Sequence, residues 1–136
     1  MHAERMFWEK ATAIHVYCFQ ERLRGDRFAR YWHDVARLDE AGIVTTALAD
    51  RDLARAVARH NGMFFAEKAA DRSSIDYVAA VSGGLRLVPA WEALRALEED
   101  YARMVDDGLL LGDAEPFEML MGRCAEIAAR SNRAAA

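Results

Sequence analysis

Proline occurs only at positions 89 and 116 of this 136-residue chain, so long stretches lack the residue that most reliably stops a helix. Alanine, leucine, arginine and glutamate, all good helix formers, fill those stretches. The pattern predicts a mainly all-α chain, a helical bundle of about five helices with one short extended segment near Leu85-Val88. The first helix should run from Glu4 to Leu23 and stop at Gly25, and the second from Arg27 to Glu40 with Gly42 as its stop. Ile43 to Ala49 reads as a connection with at most a helical turn. Asp50 is a good N-cap for a third helix, whose stripe is Leu53, Val57, Phe64 and Phe65. Asn61-Gly62 inside that helix normally marks a turn. The apolar spacing continues beyond it and favours an unbroken helix, a break there being the alternative.

Gly83-Gly84 precedes Leu85-Arg86-Leu87-Val88-Pro89, which alternates like a short extended segment. Trp91 to Val105 reads as a fourth long helix with Trp91, Leu94, Leu97, Tyr101 and Met104 inward, ended by Asp106-Asp107-Gly108. A last helix opens at Asp113 or Glu115 with Pro116 in its first turn, and carries Phe117, Leu120, Met121, Cys124 and Ile127 on one face. Length and composition fit one domain over residues 1–136, with the polar joint at 72–75 as the best internal boundary.

A net charge of −4 argues against electrostatic nucleic-acid binding by the chain as a whole. Arg22, Arg24, Arg27 and Arg30 cluster between the first two helices, as either a local basic patch or a solvated helix end. Cys18 and Cys124 are too few for a disulfide framework, lack metal spacing and lie on apolar helix faces. The opening residues lead into an amphipathic helix rather than a signal sequence, and no run is long enough to span a membrane. The expected compartment is the cytoplasm.

Two charges stand where helices should be apolar. Lys10 falls among Met6, Ala13, Ile14 and Tyr17, and Asp34 falls within the stripe of Tyr31, Val35 and Leu38. A charge on a buried stripe is expensive unless it is paired. These two opposite charges are therefore either a structural ion pair stapling successive helices or part of a site. Lys10 and Lys68 are the only lysines in a chain otherwise rich in arginine. Lysine supplies a compact charge that arginine cannot.

Other chemistries find little support. Gly83-Gly84 lacks the rest of a phosphate-binding loop and reads as a turn. His2, His15, His33 and His60 lack the paired spacing of a helical metal site. No serine sits in a nucleophile elbow.

Arg5-Met6-Phe7-Trp8-Glu9-Lys10-Ala11-Thr12-Ala13-Ile14-His15 resembles the third motif of the AbiEii/AbiGii nucleotidyltransferase toxins, in which a helix enters through an aromatic, Glu and Lys. Arg27-Phe28-Ala29-Arg30-Tyr31-Trp32-His33-Asp34-Val35 is similar to the fourth, an arginine-rich approach to two aromatics and an Asp. Weaker similarity follows at Phe64-Phe65, at Leu85 to Pro89 and at Leu97-Glu98-Glu99-Asp100-Tyr101. The resemblance implies a toxin of an abortive-infection toxin–antitoxin system that transfers a nucleotide from an NTP, in some members onto tRNA. It gives Lys10 a role at the triphosphate or in steadying the site, and makes Asp34 a catalytic carboxylate near the reacting hydroxyl. Arg27 and Arg30 become substrate-binding residues. Phosphoryl transfer suits these types, needing positive charge on phosphates and a carboxylate at the nucleophile.

The family's first two motifs, a Gly-Ser turn and an Asp-x-Asp pair that holds Mg²⁺, have no counterpart in this sequence. The resemblance is thus to the helical C-terminal half of such an enzyme. Mg²⁺ and NTP are implied for the complete enzyme, and neither metal ligands nor a cofactor are expected of this chain alone. Implied partners are an N-terminal nucleotidyltransferase core, a cognate antitoxin and a tRNA acceptor, with no membrane. A truncated half should also expose an apolar face, for which Trp8, Trp32 and Phe28 are candidates, and hide it in a homodimer. The alternative is a free-standing truncated helical protein serving as a non-catalytic binding or oligomerisation module.

Overall fold

Trp8, Tyr17 and Trp32 form the centre of the fold, each with almost no exposed surface and each with its polar tip on a backbone carbonyl. In the computed structural model, which describes residues 3–20, 27–64, 67–110 and 114–135, the indole N–H of Trp8 donates to Ala47 O at 3.0 Å. The Trp32 indole donates to Leu87 O at 2.7 Å, and the Tyr17 hydroxyl to Ala93 O at 2.8 Å. Large aromatic area is thus buried with no polar atom stranded, the condition under which such residues stabilise a core.

The described residues form seven helices: α1 (Ala3–Gln20), α2 (Arg30–Glu40), α3 (Ile43–Ala49), α4 (Arg51–Phe64), α5 (Tyr77–Val81), α6 (Trp91–Asp106) and α7 (Phe117–Ala134). The fold is mainly all-α as predicted. The count exceeds five because Ile43–Ala49 is a helix of its own and Tyr77–Val81 adds a short one capped by the Asp76 side chain. Both are too short to form alone and rest on packing, which local propensity does not report. Leu85 to Leu87 has no regular secondary structure and Val88 lies at a bend; the described residues contain no strand, only an isolated bridge between Lys68 and Ser74.

Several boundaries follow from chemistry visible in the chain. Gly42, at φ 81°, ends α2 in the left-handed conformation a glycine adopts at little cost. The Asp50 carboxylate accepts from Leu53 N at 3.0 Å and caps α4, which runs unbroken through Asn61-Gly62. The expected end of the first helix at Leu23-Gly25, Phe65, and the start at Asp113 lie outside the described residues, as do His2, Arg22 and Arg24.

The face each helix buries differs from expectation at several points. On α1 the buried side carries Phe7, Trp8, Ala11, Ile14, His15 and Cys18, while Met6 is exposed and Lys10 and Ala13 lie at its edge. Aromatic residues at 7 and 8 rotate the helix away from the predicted stripe, because they bring the most apolar area inside. On α2 the buried residues are Trp32, His33, Val35 and Ala36, which leaves Tyr31, Asp34 and Leu38 half-buried. Trp91 is not inward: it opens α6 at φ 54° and is 89% exposed. Phe64, at the end of α4, is also exposed.

The expected apolar docking face does not exist at Trp8, Trp32 and Phe28. The two tryptophans are fully buried, and Phe28 is half-buried against Tyr17 and Trp32 at ring separations of 5.2 and 5.5 Å. An ion network ties α2 to α7. Arg123 and Arg130 of α7 meet Asp39, and Arg37 and Arg123 share Glu115.

Candidate functional site

The α1–α2 seam brings the two misplaced charges together. Lys10 Nζ donates to Asp34 Oδ2 at 2.9 Å and lies 5.1 Å from the centre of the Tyr31 ring. Each helix holds its charge at the margin of its buried face, so the pair sits at the rim of the core rather than in it. The side chains retain 19% and 33% of their accessibility. The pair is thus half-buried rather than sealed, and its attraction is partly screened by water.

Beside the pair runs a groove of about 830 Å³. Its floor is one face of α1, where Glu9, Thr12, Ala13, Val16 and Gln20 follow one another at helical spacing. One wall is the approach to α2, with Arg27, Phe28, Arg30 and Tyr31. The other contains His60 and Asn61 from α4, with Glu67 and Tyr77. The unbroken course of α4 through Asn61-Gly62 has a local consequence here. It places Asn61 Nδ2 2.9 Å from Thr12 Oγ1, tying the second wall to the floor.

Arg27 and Arg30 line the groove, whereas Lys10 and Asp34 lie next to it; Tyr31 belongs to both, as a groove wall and as the ring beneath Lys10. Arg30 spends one donor on Leu109 O at 3.3 Å and is otherwise exposed. Arg27 is exposed and has a left-handed backbone, φ 66°. Two exposed arginines sharing a wall with the half-buried Phe28 and Tyr31 suit a ligand carrying phosphate and a planar base.

Sequence reasoning missed one group that organises this wall. Asp100 of α6 is 1% exposed, and its two oxygens accept from Arg27 N at 2.9 Å and Ala29 N at 2.7 Å. The only signal was an acidic residue on the buried stripe between Leu97 and Tyr101, hidden by the run Glu98-Glu99-Asp100.

Three titratable groups of the core, His15, Cys18 and Cys124, lie away from the groove lining. His15 Nδ1 accepts from Arg86 N at 3.0 Å; burial first, and the Arg86 charge second, push its pKa down to about 4. His15 is therefore a neutral acceptor at pH 7 and no acid. Cys18 and Cys124 are buried on apolar helix faces as expected, and burial pushes both thiols up to about 12.

No group of three or more His, Cys, Asp or Glu among the described residues could hold a metal ion. The donor set seen here does not fit Mg²⁺. Among the described residues no helix is long and apolar enough to cross a membrane.

Compared with known proteins, the chain matches over residues 1–123 a family model described as nucleotidyl transferase AbiEii toxin, type IV TA system. The comparison with curated proteins and that with solved structures gave no match.

Proposed function

Because the chain belongs to the AbiEii nucleotidyl transferase toxin family, of type IV toxin–antitoxin systems, we propose that it supplies the helical part of a nucleotidyl-transfer site, with an antitoxin as its partner. The observation that carries this reading is the solvent-open Lys10–Asp34 pair at 2.9 Å, adjoining a groove walled by Arg27 and Arg30. A pair left this accessible adds little to stability, so stapling two helices is a weak reason for it to be there. It adjoins the groove through Tyr31, which lines the groove and lies 5.1 Å from Lys10 Nζ.

In the proposed reaction an acceptor hydroxyl, of tRNA or a similar RNA, attacks the α-phosphorus of an NTP. A new P–O bond forms, the bond to the β-phosphate oxygen breaks, and pyrophosphate leaves. Asp34 orients the hydroxyl and accepts its proton, and Lys10 fixes the carboxylate while offsetting phosphate charge. Arg27 and Arg30 hold backbone phosphates of the RNA acceptor. The Mg²⁺ such a transfer uses does not fit the described residues, and no step here runs through it. Turnover accordingly requires metal ligands from outside this helical unit, and the isolated chain is proposed to be inactive.

The test is transfer of label from each α-labelled NTP to total tRNA, using the protein isolated from its source cell and weighed intact. Loss of transfer with Asp34→Asn, at unchanged folding, supports the assignment. Undiminished transfer removes Asp34 from the site, and absence of transfer with all the NTPs removes the reading.

A further inference from the structure

The approach to α2 lacks the usual means of fixing a helix start. Ala29 precedes the helix and provides no side-chain cap, and Arg27 holds a left-handed backbone, φ 66°, that residues with a Cβ seldom adopt. The missing cap comes from 71 and 73 positions away in sequence. Asp100 Oδ1 accepts from Arg27 N and Oδ2 from Ala29 N, at 2.9 and 2.7 Å. The Asp100 side chain is 2% exposed, and the cation that meets it among the described residues is the exposed Arg103, 3.7 Å from Oδ1. Its charge is thus directed chiefly at the two backbone N–H groups at the positive end of the α2 dipole.

Those two bonds bracket one short segment. Arg27, Phe28, Arg30 and Tyr31 all follow from where it stands, and Asp34 lies one turn further on. Without the carboxylate the Arg27 amide loses its acceptor, and the 3.4 Å bond from Arg30 N to Arg27 O is a weak hold on the left-handed backbone, whose relaxation would swing the side chain off the groove wall.

We propose that Asp100 is a positioning residue of this site: by clamping the Arg27 and Ala29 amides it holds Arg27 in the left-handed conformation that presents its guanidinium to the groove. The inference rests on the reading of Arg27 as a substrate-binding residue. It concerns a different residue on a different helix, so the two can fail separately.

The experiment is a double-mutant cycle on binding of fluorescein-labelled tRNA across a salt series, with Asp100→Asn, Arg27→Ala and the double variant. An asparagine presents one acceptor and one donor, so it keeps the shape and loses one amide bond. Asp100→Asn is expected to weaken binding about fivefold and to lower the salt slope by about one, as loss of one phosphate contact does. Adding it to Arg27→Ala should change neither value further. A purely structural Asp100 would leave the salt slope intact and give additive losses, overturning the proposal. If Arg27→Ala binds as the parent does, or the parent does not bind, the substrate-binding reading falls and the proposal with it. Should Asp100→Asn not fold, Asp100→Glu keeps the charge but displaces it by one methylene and carries the same cycle.

Discussion

Lys10 and Asp34 meet at 2.9 Å across the α1–α2 seam with 19% and 33% of their side chains still accessible. That exposure decides what the pair does for stability. A buried pair stripped of one partner typically costs about 3–5 kcal/mol, because the survivor is left charged and dry. Here water can take the place of the lost carboxylate, and Lys10 keeps the Tyr31 ring beneath it. Asp34→Ala is therefore expected to lower unfolding free energy by only about 1 kcal/mol. Urea denaturation checks this, and a loss near 4 kcal/mol would identify a structural staple instead.

His15 gives the fold an acid-sensitive element. Its folded pKa is about 4 against an ordinary 6.5, so in that interval the unfolded chain binds a proton that the folded one refuses. Stability from this group is complete above pH 6.5 and is lost as pH falls towards 4. The amount is about 3 kcal/mol when the shift is converted at its full size. Replacing His15 by Asn keeps an acceptor for Arg86 N and removes the titration. The difference in stability between the two proteins should change by about that amount between pH 7 and 4, measured by urea unfolding at each pH.

The two tryptophans at 32 and 91 should respond in opposite ways. Trp32 is fully buried and its indole N–H satisfies Leu87 O, so Trp32→Phe removes volume and leaves a carbonyl without its donor. A loss of about 2–3 kcal/mol is expected. Trp91 is 89% exposed and holds φ 54°, so Trp91→Gly sheds no core contact and relieves the backbone. Its effect should lie between nothing and about 1 kcal/mol of stabilisation, and thermal unfolding of the pair distinguishes the cases.

This contrast also shows what could be seen in the chain beforehand. Periodicity located α2, α4 and α6 to within a few residues, and the two out-of-place charges at Lys10 and Asp34 do pair. Periodicity could not orient Trp91, because the first residue of a helix points wherever the incoming chain sends it. Nor could it choose between Met6 and the Phe7-Trp8 pair as the inner edge of α1, since that depends on the holes the other helices offer. Asp100 was out of reach for a related reason. Its partners are backbone amides, which carry no residue identity, and they come from a distant segment.

Glycine supplies the last prediction, since the same residue type has opposite roles at two positions. Gly122 lies inside α7, and a Cβ built there meets nothing within 4 Å. Gly122→Ala removes backbone freedom from the unfolded chain and strains nothing in the folded one, so it should stabilise by about 0.5–1 kcal/mol. Gly42 also has open space around it, but its φ of 81° is one that a Cβ disfavours. Gly42→Ala should therefore destabilise by about 1 kcal/mol although the space is equally empty. Thermal unfolding of both variants separates conformation from packing as the cause. If the two shift in the same direction, the left-handed turn between α2 and α3 is not what Gly42 is there to make.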